Sequence, residues 1–131
     1  MAKLKHIVIA VDDIDGTAEF YKKTFALVET ERGATRVRLS DGTIDFTIID
    51  VNTHGNSLGG PRGLHHFGFE VDDAGATADR VLANGGAYHD RLPGETRGAA
   101  KQIKLKDPNG IYFEIGNAAH ARANWAQGNR P

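Results

Sequence analysis

Two histidines stand sixty positions apart in matching surroundings. His6 lies in Leu4-Lys5-His6-Ile7-Val8-Ile9-Ala10-Val11-Asp12-Asp13, and His66 lies in Leu64-His65-His66-Phe67-Gly68-Phe69-Glu70-Val71-Asp72-Asp73. A glutamate, Glu114, sits in a third strand-like run, Ile111-Tyr112-Phe113-Glu114-Ile115. Two neutral imidazoles and one carboxylate on rigid strands can bind a divalent metal and leave positions open for a substrate. A lone strand histidine is more often a hydrogen-bonded residue of the sheet. The same position filled twice, with a carboxylate on the matching face, is what argues for a metal centre of His6, His66 and Glu114.

The elements around these residues repeat as well. In residues 3–11, Ile7, Ile9 and Val11 alternate with His6, Val8 and Ala10, so one face is apolar and the histidine points to the other. Asp12 and Asp13 then stand where a helix cap belongs. Ile14, Ala18, Tyr21 and Phe25 follow at spacings of one helix face, predicting about 12 residues of helix whose stripe packs on the sheet. Leu27–Thr30, Arg36–Leu39 and Ile44–Ile49 read as three strands, with a turn signal at Ser40-Asp41-Gly42. The second half restates this β-α-β-β-β order. Phe67, Phe69 and Val71 take the apolar face, Asp72 and Asp73 cap, and Ala74, Ala78 and Val81 stripe a helix that Gly85-Gly86 ends. Ala87–His89, Gln102–Leu105 and Ile111–Ile115 are its later strands, Arg91–Ala100 is a polar loop, and Asp107-Pro108-Asn109-Gly110 is a turn. Residues 52–62 connect the halves.

By alternation Tyr112 and Glu114 share the histidines' face, and so do Arg36, Arg38, Gln102 and Lys104. Cations there suit an anionic or phenolate-type substrate, or they are a solvated edge with snorkelling stems. Arg38, Lys104 and Thr47 are thus candidate substrate contacts. His65 points the opposite way and reads as structural. His54, His89 and His120 fall in loop or tail segments and are expected to be solvated, though each could reach the site as an acid or base. His89 and Tyr112 are the candidate catalytic side chains. The tail, residues 117–131, either forms a helix over the site or a partner subunit, or is a frayed end.

Composition narrows the setting. The chain of 131 residues fits one domain: modules 3–51 and 63–116 plus the tail. A net charge of −1 with dispersed Lys and Arg gives no basic stripe, so no nucleic-acid partner is expected. No run approaches a spanning helix or a secretory leader, and no membrane partner is expected. The absence of cysteine excludes disulfides, zinc–thiolate sites and a cysteine nucleophile. A cytoplasmic protein with a small-molecule substrate is the expectation.

The chain resembles the vicinal oxygen chelate superfamily, which includes lactoylglutathione lyases, extradiol dioxygenases, fosfomycin-resistance transferases and bleomycin-binding proteins. The resemblance runs to about residue 116. It is carried by Leu4-Lys5-His6 with Asp12-Asp13, Glu19-Phe20-Tyr21, Leu64-His65-His66 with Val71-Asp72-Asp73, and Asp107-Pro108-Asn109-Gly110 with Glu114. It implies an α+β fold of paired βαβββ modules, in which a curved eight-stranded mixed sheet surrounds a cleft and the helices lie outside. It also implies a homodimer, in which a site is built within one chain or shared by two.

His6, His66 and Glu114 fall on the family's ligand positions, and the fourth position is Thr47 here. A threonine cannot take a proton from a carbon acid at neutral pH, which weakens the likeness to lactoylglutathione lyases. The remaining set is that of extradiol dioxygenases and fosfomycin transferases. Fe(II) is the preferred ion, with Mn(II), Zn(II) and Ni(II) as alternatives. Departures persist: Lys104 stands where ring-cleaving dioxygenases carry tyrosine, and the transferases' serine-bearing loop is missing from Gly94–Gly98. The expected activity is dioxygenase-like. The alternatives are a lactoylglutathione-lyase-like lyase or isomerase and a non-catalytic antibiotic-binding protein.

Overall fold

The structure is a computed structural model that describes residues 1–53, 61–89, 94–97 and 99–125. Among the described residues its architecture is an open mixed sheet of eight strands with three helices, joined by one further short strand. Contacts divide the chain into two compact units. One spans His6–His65 and takes in Trp125; the other spans His66–Asn124 and takes in Met1–Lys5.

The first unit runs β1 (Lys3–Val11, entering at His6), α1 (Ile14–Phe25), β2 (Val28–Arg32), β3 (Arg36–Ser40) and β4 (Asp45–Asp50). The sheet order is β2-β3-β4-β1, with β1 parallel to β4 and the other pairs antiparallel. A parallel neighbour needs a crossover, and α1 with the β2–β3 hairpin supplies it. Asp13 caps α1 by accepting from the Gly16 amide at 2.9 Å. Ala18, Val37, Leu39 and Ile48 form the buried centre beneath α1, with Ile9, Ile14, Tyr21 and Phe46 around them. Phe25 departs from its expected place in the stripe: it is exposed and stacks on Tyr21. The helix ends there, at Ala26 with φ +57°, before Phe25 can turn onto the sheet.

The second unit repeats the plan with β5 (Gly63–Glu70), α2 (Ala74–Ala83), β6 (Ala87–Tyr88), β8 (Ala100–Lys106) and β9 (Tyr112–Gly116). Its order is β5-β9-β8-β6, with β5 parallel to β9. Val71, Ala74, Ala78, Leu105 and Ile115 are its buried centre. Asp73 caps α2, and Gly85, with φ +96°, turns the chain after it as expected of a left-handed residue. Gly86 admits no side chain: a Cβ there would lie 2.5 Å from Val81 Cγ1 and 2.8 Å from the Lys106 carbonyl oxygen.

Two expectations change here. The polar loop expected over Arg91–Ala100 contains a strand, β7 (Gly94–Arg97), which pairs antiparallel with β8. Polar residues sit comfortably on an edge strand, whose outer side faces water, so composition concealed it. Of the two alternatives for the tail, its described part takes the helical one: α3 (Ala118–Asn124) packs on β8 and β9, and Trp125 after it is buried. His120 is therefore buried on α3 and accepts from the Asn124 side chain, in contrast to the solvated position expected of it. His54, Gly98 and the chain after Trp125 lie outside the described residues.

Candidate metal centre

In the first unit the parallel register of β1 on β4 sets His6 beside Asp45, and Val8 beside Thr47. Alternation on β4 points Asp45 and Thr47 to the face of His6, while Phe46 and Ile48 go to α1. Both His6 and Asp45 are buried, at 4% and 0% exposure. The His6 Nδ1 meets Asp45 Oδ2. The same carboxylate oxygen accepts from Arg38 Nη1 at 2.9 Å and from the Thr47 hydroxyl at 2.7 Å. Arg38 Nη1 also donates to Thr47 Oγ1 at 3.3 Å, and its Nε donates to Glu31 at 3.1 Å. Burial pushes the Asp45 carboxyl up, but His6, Arg38 and Thr47 together hold it below its ordinary range. The His6 ring is stacked on the indole of Trp125, with centroids 5.1 Å apart.

Arg38, a candidate substrate contact by sequence, is thus buried between two carboxylates. Thr47 is buried and supports Asp45. Asp45 itself is the residue the sequence analysis passed over. Its signal was available in period 2, because it lies two residues before Thr47 on the same strand face.

In the second unit β9 lies beside β5, and β8 beside β9 pairs Lys104 with Glu114. Glu114 is 3% exposed and uses its two oxygens differently. Its Oε2 accepts from the Tyr112 hydroxyl at 2.8 Å and from Gln102 Nε2 at 3.0 Å. Its Oε1 stands 3.3 Å from His66 Nε2, on a histidine 5% exposed. Lys104 Nζ donates to Gln102 Oε1 at 3.1 Å. His66 stacks on Tyr112 at 4.3 Å, and His89 meets the same ring edge-on at 4.5 Å. His89 is half-buried against an aromatic ring, not solvated. Burial, then the Glu114 charge that its hydroxyl serves, push the Tyr112 phenol far up, so it acts as a neutral donor.

These residues suit a divalent ion. Two ligands at ~2.1 Å from one ion, near a right angle, stand ~3 Å apart, and His66 Nε2 and Glu114 Oε1 are 3.3 Å apart. The oxygen of Glu114 on the His66 side is Oε1, while Oε2 takes the Tyr112 and Gln102 donors. Within each unit the candidate ligands are held by side chains of that unit, Asp45 at His6 in the first, and Gln102 with Tyr112 at Glu114 in the second, as partners that orient a metal ligand would hold it.

A sequence model of the Glyoxalase/Bleomycin resistance protein/Dioxygenase superfamily matches residues 3–115. A probable lactoylglutathione lyase of Vibrio cholerae is 29% identical over 138 residues, covering 91% of this chain and 94% of that protein. A probable chloroplastic lactoylglutathione lyase of Arabidopsis thaliana is 29% identical over 123 residues, 86% of this chain. The chain spans only 35% of that relative's length. Among solved structures, a methylmalonyl-CoA epimerase in complex with methylmalonyl-CoA and NH4+ superposes with a TM-score of 0.67 at 22% identity, covering 91% of this chain and 96% of that one. The methylmalonyl-CoA epimerase of Mycobacterium tuberculosis gives 0.64 at 19% identity, with 92% and 90% covered. At these identities the structural likeness speaks for the fold.

Proposed function

Since the chain belongs to the Glyoxalase/Bleomycin resistance protein/Dioxygenase superfamily, we propose that it is a divalent-metal enzyme acting on a small substrate with two adjacent oxygens. In this reading residues 3–51 and 63–116 are two modules of one domain, and the ion is held by His6, His66 and Glu114. All three side chains are buried. The observation that carries the reading is the separate anchoring of each ligand. Asp45 holds His6, Tyr112 flanks His66, and Gln102 with Tyr112 fixes Glu114.

The reaction class we favour is lyase or isomerase chemistry, as the names of the curated relatives suggest. When bound, the ion supplies Lewis acidity that stabilises an oxyanion developing on the substrate. The protein's own side chains do the rest. Tyr112 stays protonated and donates to Glu114, so it is not the base. Asp45 is engaged by three donors and is a weak base for the same reason. His89, edge-on to the Tyr112 ring, is the proton carrier in this reading, because an imidazole can both take up and give up a proton. Lys104, whose ammonium meets the neutral amide oxygen of Gln102, attracts the anionic end of the substrate.

A second reading, Fe(II)-dependent dioxygenation, is favoured by Thr47. With no carboxylate at that place, two histidines and one glutamate are left, a set that suits Fe(II) with open positions. A cytoplasmic homodimer belongs to both readings, and light scattering tests the pairing.

The deciding experiment is elemental analysis of untagged protein beside its Glu114→Ala variant, followed by turnover assays. About one ion per chain, lost in the variant, is expected. Hemithioacetal turnover with Zn(II) or Ni(II) supports the lyase class; oxygen uptake with catechols and Fe(II) supports the dioxygenase. An unchanged metal content in Glu114→Ala overturns the ligand set. No metal after anaerobic reconstitution leaves a small-molecule binding protein.

A further inference from the structure

We infer that the outer face of α1 is the surface on which two copies of this chain pair, helix against antiparallel helix about a two-fold axis. This gives the homodimer named above its place on the molecule. It rests on that reading and is independent of the metal centre. Phe20 is 58% exposed and Phe25 62%. Their rings are joined: Phe20 meets Tyr21 edge-on with centroids 5.1 Å apart, and Tyr21 stacks on Phe25 at 6.1 Å. Single exposed apolar side chains are ordinary, whereas a connected run of large ones marks an interaction surface. Aromatic side chains are also enriched where proteins meet proteins.

The pattern of α1 around Phe20 says what covers it. On a helix the neighbours of a residue lie three and four positions away. For Phe20 these are Gly16, Thr17, Lys23 and Thr24, of which only Lys23 is charged. A second helix can therefore lie along this face while burying little charge. The charges decide that it is a second α1 and how it runs. A two-fold axis brings the same patch of both copies together, and the two helices then lie either parallel or antiparallel. α1 starts on Asp13 and Asp15 and ends on Lys22 and Lys23. The parallel arrangement sets like ends together; the antiparallel one sets each basic end toward the other copy's acidic start and opposes the two helix dipoles. Lys22 is already held by Glu19 at 3.1 Å and Glu29 at 3.2 Å. Lys23 meets no carboxylate among the described residues. Glu19 lies four positions before Lys23 on the same flank of the helix, and its side chain is 49% exposed. In the antiparallel pair, centred near Phe20, Lys23 of one copy faces Glu19 of the other, and the contact occurs twice.

Sedimentation equilibrium of the whole chain over a range of concentrations, at low salt, reads the pairing. Wild type is expected to dimerise. Phe20→Ser, a surface change, is expected to weaken the dimer about tenfold or more. Glu19→Lys and Lys23→Glu each place like charges face to face and are expected to weaken it about tenfold on their own. An equimolar mixture of these two variants restores both contacts across a mixed pair and is expected to dimerise as wild type does. That mixture also shows that the variants are folded. A wild-type dimer that Phe20→Ser leaves unchanged would overturn this face and let the homodimer stand. A mixture that pairs no better than its components would overturn the antiparallel arrangement. A wild type that stays monomeric throughout would overturn the face and the homodimer together, while metal content, measured separately, still tests the enzyme reading.

Discussion

Arg38→Met isolates the energetic weight of the buried network. The guanidinium is 91% buried by side-chain area, and Asp45 is fully buried. Methionine matches the length of the arginine stem but supplies no donor, so Asp45 keeps only His6 and Thr47. Removing one partner of a buried ion pair costs about 3–5 kcal/mol, mostly because the other charge is stranded. Against a total stability of ~5–15 kcal/mol, that is a large share. At ~3–5 °C per kcal/mol in a domain of this size, the melting temperature falls by about 10–25 °C.

The pH dependence gives the sharper signature. Asp45 has a depressed pKa in the folded protein, so its contribution is present above the unfolded value of 3.8 and is lost as pH falls through the folded one. In the variant the cation is gone and burial raises the carboxyl instead. The gap between wild type and Arg38→Met should therefore narrow as pH falls from 7 to 4, where the variant's Asp45 can take up a proton. Urea unfolding at several pH values measures this. A loss below 1 kcal/mol, or a gap that stays constant with pH, would refute the stranded charge.

Three further outcomes follow from particular contacts. Trp125→Ala should cost about 3–5 kcal/mol, because it empties a buried site against the His6 ring; equal urea midpoints for the two proteins would refute it. Ala26→Gly should stabilise by up to ~1 kcal/mol, since Ala26 holds φ +57°, a conformation that is costly for any residue with a Cβ; calorimetry of the pair decides it. Glu29, held at about 2 chiefly by Arg32, contributes stability above its unfolded value of 4.5 that is lost as pH falls toward 2. The difference between wild type and Glu29→Gln should therefore close over that interval, and acid titration of the unfolding midpoint checks it.

Much of this was legible in the residues themselves. The sixty-residue repeat, the alternation in β1, β5 and β9, and the aspartates at the helix starts specify local geometry, and local geometry depends on near neighbours. They predicted α1 and α2, the strands other than β7, and the shared face of Tyr112 and Glu114. Tertiary structure decided what depends on residues far apart in the chain. Whether the residues after β9 fold is set by what they find to cover; α3 found β8 and β9, and Trp125 found His6. That burial turned His120 from an expected surface residue into a buried one. Whether Arg38 serves a ligand or the fold depends on two carboxylates, Glu31 and Asp45, each seven positions away, which strand pairing brings to the same guanidinium. A charge pattern along the sequence shows that cations are present. Only the register of neighbouring strands shows which of them are already neutralised.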